Sequence, residues 1–102
     1  MNSRQLLFKL SAAVLMCAAD TLDELSRLSA AISGRVGKSE LYRIAGGWCL
    51  ILTADQSAVP YLSRVIEEYG ELSDDTLDIA CAAEHGTPVC RENAVSALSA
   101  LA

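Results

Sequence analysis

Apolar residues recur along this chain at steps of three and four almost without a break, and that spacing is the strongest constraint on its fold. Leu6, Leu7, Leu10, Ala13, Val14 and Cys17 fall on one face of a helix running from about Ser3 to Ala18. Thr21 and Glu24 have capping-box spacing and start a second helix through Leu22, Leu25, Leu28 and Ile32, which Gly34 and Gly37 close. A third helix is expected from Ser39 to about Leu52, apolar nearly all round and therefore central. A fourth runs from about Ser57 to Tyr69, with Pro60 in its first turn, where no N–H is needed, and Gly70 at its end. Ser73 caps a fifth helix that carries Asp74 and Asp75 in its first turn and extends to His85. Gly86-Thr87-Pro88 reads as a glycine stop, a threonine cap and a proline at the first position of a sixth helix.

Composition points the same way. Apolar residues make up 52% of the chain but only five residues are aromatic, so alanine and leucine, both strong helix formers, carry most of the core. β-Branched residues never build an alternating run, so strands are not expected. At 102 residues the chain is read as one domain of all-α class.

The odd-numbered helices keep a common register. Leu7, Leu10, Ser11 and Val14 correspond to Tyr42, Ala45, Gly46 and Cys49, and these to Leu77, Ala80, Cys81 and Glu84, while Asp20 and Asp55 repeat at the same spacing. Tyr42, two residues, Ala45-Gly46, two residues, Cys49, then Ala58, three residues, Leu62, with Gly70 near the place of a closing proline, resembles a tetratricopeptide repeat. The resemblance implies three tandem helix hairpins, at about 3–33, 39–70 and 73–102, in a right-handed stack. The same spacing also fits an ordinary six-helix bundle.

Charge narrows the partners. Residues 1–54 carry six basic and four acidic side chains, a net +2, and residues 55–102 carry two basic and nine acidic, a net −7. The carboxylates from Glu67 to Glu84 would repel a phosphate backbone, so nucleic acid is not an expected ligand. The run serves either as a solvated face or as an acidic rim selecting a basic or amphipathic partner. No segment is apolar for long enough to suggest a membrane span. Arg4 and Lys9 before Leu10–Ala19 faintly suggest a secretory signal, but the stretch is short and a first helix is the expectation. Four cysteines without framework spacing suit a reducing cytoplasm.

Catalytic and metal chemistry find little to build on. Cys81, His85 and Cys90 are the most metal-like group, yet no second close pair completes a zinc set. Gly46-Gly47 lacks the following Lys and hydroxyl of a phosphate loop, and the carboxylate run lacks the pattern of an EF-hand. The expectation is no enzyme, no cofactor and no bound metal.

What remains is recognition of another protein, as a helix or an extended peptide in a groove. Tyr42, Trp48 and Tyr61 are the candidate anchors, and Glu67, Glu68 and Glu71 the candidate acidic contacts. Size, period and composition resemble small tetratricopeptide-like chaperones of type III secretion. That resemblance implies a cytoplasmic chaperone or adaptor, working in a hetero-oligomer with a second small helical protein. The alternative is an acidic immunity or inhibitor protein that neutralises a basic toxin or enzyme.

Overall fold

Two β-hairpins occupy the places where the first and third helices were expected. A computed structural model describes residues 6–74 and 78–102. Its elements run β1 (Leu6–Ser11), β2 (Val14–Ala19), α1 (Leu22–Ile32), β3 (Lys38–Ile44) and β4 (Gly47–Thr53). They continue as a 3-10 turn (Gln56–Ala58), α2 (Val59–Tyr69), β5 (Gly70–Leu72), α3 (Ile79–Glu84), β6 (Thr87–Cys90) and α4 (Ala94–Ser99). The strands form one sheet in the order β5-β1-β2-β4-β3-β6. All neighbours are antiparallel except β1 and β5.

The reason the hairpins read as helices is physical. A sheet covered on both faces needs apolar side chains at consecutive positions. Leu6-Leu7-Phe8, the run Val14 to Ala19 and the run Trp48 to Leu52 supply them. Such runs satisfy a period of 3.6 as readily as a period of 2, so periodicity could not separate the two. The small pair Gly46-Gly47, expected mid-helix, instead marks a hairpin end. Ala45-Gly46 joins β3 to β4, and Gly46 takes φ +81, which glycine adopts without a Cβ penalty. The β1–β2 link is Ala12-Ala13, with Ala12 itself at φ 53.

Three α1, α2 and α4 faces pack on one side of the sheet. Leu25, Leu28 and Ile32 of α1, Leu62, Val65 and Ile66 of α2, and Val95 and Leu98 of α4 meet Phe8, Leu15, Cys17, Leu41, Leu50 and Leu52 in the main core. Among the described residues the opposite face carries α3, with Ile79 and Ala83 over Cys49 and beside Met16, Ala18, Tyr42, Ile44 and Ile51. Ser39, buried in β3, ties the sheet to α4 by accepting the Val95 N–H at 2.8 Å.

Two expected helices are present. Thr21 caps α1, its Oγ1 accepting from Glu24 N at 3.3 Å and donating to Glu24 Oε1 at 2.9 Å. Pro60 lies in the first turn of α2, and Gly70 ends it. The fifth helix is cut to α3, capped by Asp78 rather than Ser73; Asp75 and Leu77 of the expected helix lie outside the described residues. The sixth is cut to α4. Thr87-Pro88 opens the edge strand β6, a place where the missing proline N–H breaks no ladder.

The all-α class is therefore corrected, and with it the three helix hairpins at about 3–33, 39–70 and 73–102 and the right-handed tetratricopeptide-like stack. The repeated register does not carry over residue by residue, since Leu10 and Ser11 lie in β1 whereas Ala45 and Gly46 form the β3–β4 turn. The chain runs hairpin–helix twice, β1-β2-α1 and then β3-β4-α2, with Leu7 and Tyr42 on corresponding strands and Asp20 and Asp55 each leading toward a helix.

Candidate functional site

Strand alternation decides what the α3 side of the sheet offers. Leu7 pairs with Ala18, and Cys49 pairs with both Ala18 and Tyr42, so these side chains share that face. A helix of six residues covers only part of it. Leu7 is left 40% exposed, an unusual amount of free surface for a leucine in a strand with a paired neighbour on each side.

The uncovered part is a groove of about 400 Å³ at the end of the sheet where β2 stops and β3 turns into β4. Leu7, Ala18 and Ile44 give it an apolar base, Ala45-Gly46-Gly47 form one wall, and Asp20 and Glu71 also line it. Among the described lining residues there is no basic side chain. The wall depends on a close backbone approach, because a Cβ on Gly47 would stand 2.2 Å from the Ala19 carbonyl oxygen.

An ion pair fixes α3 beside this groove. Lys9 Nζ from β1 donates to Asp78 Oδ2 at 2.5 Å, while Asp78 Oδ1 accepts from Cys81 N at 3.1 Å. The Lys9 ammonium, together with the Cys81 N–H, holds the Asp78 carboxyl below the usual carboxylate range.

The six residues expected to bind a partner do not converge. Tyr42 lies on the α3 face, and its hydroxyl donates to Glu40 at 2.8 Å, which raises its pKa. Trp48 is on the other face of β4, packed against the main core with the Arg43 guanidinium 4.8 Å from its ring centroid. Tyr61 of α2 donates to the Ala31 carbonyl at 2.7 Å and lies under the Arg35 guanidinium. Glu67 and Glu68 are exposed in the last turn of α2, where a carboxylate meets the negative end of the helix dipole and no basic residue offsets it. Glu71 alone of the six lines the groove.

Leu7, Ala18, Ile44 and the Ala45–Gly47 turn were missed as site residues. The sequence signal was the Gly-Gly pair, which marks a turn as readily as a helix–helix contact.

The thiols are set up for packing rather than chemistry. Burial pushes Cys49 up to about 12 and Cys17 well above the ordinary thiol value, so neither forms a thiolate readily. Cys81 and Cys90 are half-buried on α3 and β6, and no group of three metal-ligating side chains gathers among the described residues.

A family model described as "Negative regulator of genetic competence (MecA)" matches residues 8–98, from β1 into α4. The chain belongs to the MecA family. The matched residues take in most of both hairpin–helix units and every described groove residue except Leu7. It overturns the resemblance to tetratricopeptide-like type III secretion chaperones, as the mixed sheet does independently. No curated protein and no solved structure matches the chain. Among the described residues, no helix is long and apolar enough to cross a membrane.

Proposed function

We propose that this MecA-family chain is a non-catalytic adaptor of the cytoplasm that lowers genetic competence by binding another protein. The match over residues 8–98 carries the reading, because it runs from within β1 into α4 and takes in helices on both faces of the sheet. A half-covered sheet face with an apolar groove supports a binding role. So does the state of the cysteines, whose two most buried members are held as neutral thiols away from nucleophilic chemistry.

The test is transformation frequency in a naturally transformable host that carries this chain. Raising its level should depress uptake of marker DNA, and deleting its gene should raise it. Unchanged frequency under both treatments would overturn the reading.

A further inference from the structure

Among the described residues that line the groove at the end of the α3 face, an apolar base meets charged groups of one sign only. Leu7, Ala18 and Ile44 give it aliphatic surface, and its two charged lining residues, Asp20 and Glu71, are both carboxylates. Glu71 pairs with Leu7 across β1 and β5, and Asp74 follows it three residues on, exposed. No basic residue interrupts this stretch. The local field therefore favours a cation, while the base favours an alkyl chain.

From this complementarity we infer that the groove takes an extended segment of the partner protein in which a lysine or arginine stands next to an aliphatic residue. The aliphatic side chain sits on Leu7, Ala18 and Ile44, and the cationic one reaches the carboxylate of Glu71. The apolar base is three side chains across, too short for the continuous stripe of a bound helix, whose anchors repeat over two or more turns. An extended segment turns alternate side chains down onto this short base, and the long cationic side chains between them can fold over the edge to the carboxylate that lines it.

Other surfaces argue less well. The edge strand β6 exposes Val89, but Pro88 removes a donor from that edge. The space beside Val36, Gly37, Thr53, Ala54 and Asp55 offers a single carboxylate and no large apolar side chain.

The inference rests on the protein-binding reading above, and its test reads binding directly. The 15N-labelled chain is titrated with the peptide Lys-Leu-Lys-Leu-Lys and, separately, with Glu-Leu-Glu-Leu-Glu, both blocked at their ends. The basic peptide should give saturable amide shifts confined to Leu7, the Ile44–Gly47 turn and Glu71, weakening as salt is raised. Glu71→Lys should weaken its binding by at least about threefold, since a rim attraction becomes a repulsion. Glu92→Lys, an exposed reversal outside the groove, should leave it unchanged.

Equal binding of the acidic peptide, shifts mapping elsewhere, or no saturable shift at millimolar peptide would overturn the inference. So would shifts at these amides that depend on protein concentration without peptide, which would give the groove to a second copy of the chain. Loss of peptide binding with competence still depressed would sink this inference alone. Peptide binding with competence unaffected would sink the proposed function alone.

Discussion

Lys9 and Asp78 join across the α3 face of the sheet, the lysine ammonium 2.5 Å from a carboxylate oxygen that belongs to the cap of α3. They are 69 positions apart in sequence, and they couple the first strand to the short helix on the same face of the sheet as the groove. Asp78 uses its other oxygen on the Cys81 N–H, so one side chain both starts the helix and anchors it.

Removing the ion pair without the cap should loosen α3 selectively. In Lys9→Met, hydrogen exchange at Ala82 and His85, whose amides bond within this helix, should speed up while the amides of α1 keep their protection. The pH dependence follows from the sign of the shift. Asp78 has a folded pKa below its unfolded value of about 3.9, so the contribution is present above that value and is lost as pH falls through the folded one. Wild type should therefore exceed Lys9→Met in stability at pH 7, and urea denaturation should show the gap closing as pH drops below about 4.

Ser39 should be intolerant of loss of its hydroxyl. It is buried and accepts the Val95 N–H, and Ser39→Ala leaves that donor unsatisfied in the α4–sheet contact. The cost should be about 1–3 kcal/mol in chemical denaturation. A loss below about 0.5 kcal/mol would show that the bond contributes little.

The two hairpins offer paired tests. Gly47→Ala drives a Cβ against the Ala19 carbonyl and should cost about 1–3 kcal/mol, whereas Gly34→Ala meets nothing within 4 Å and should be near neutral. Ala12→Gly should stabilise by about 0.5–1 kcal/mol, because Ala12 occupies the left-handed region that glycine adopts freely. Thermal melts of the three variants suffice.

How much of this was legible in the sequence varied with the kind of signal. Some caps and breakers were read correctly, whereas the expected Ser73 cap and the Thr87-Pro88 helix start were not. Thr21 and Glu24 placed the start of α1, and Pro60 and Gly70 bounded α2. Periodicity failed where burial is two-sided. Cys17 and Cys49 are fully buried on opposite faces of one sheet, so β2 and β4 lack the polar alternation that would have betrayed them as strands. The repeated register did not hold residue by residue, although the chain does repeat a hairpin–helix unit. Of the six expected contact residues only Glu71 reached the groove, because Trp48 and Tyr61 were chosen for size and each is occupied by a cation and a core or backbone contact.

Cysteine reactivity gives a further check on the two faces. Cys17 and Cys49, buried with raised pKa, should resist iodoacetamide in the native protein at pH 8, while Cys81 and Cys90 should alkylate faster. Mass spectrometry of the timed digest reads the order. Early labelling of Cys49 would mean that α3 does not cover its face as described.

Site-specific photocrosslinking in the native host tests the binding role most directly. A benzophenone amino acid is placed at Ala45, exposed at the groove wall, or at Ala97, exposed on α4 across the sheet. Illumination should yield a defined covalent protein adduct from Ala45, reduced by Glu71→Lys, and none from Ala97. An adduct from Ala97 with none from Ala45 would contradict the groove as the seat of the partner.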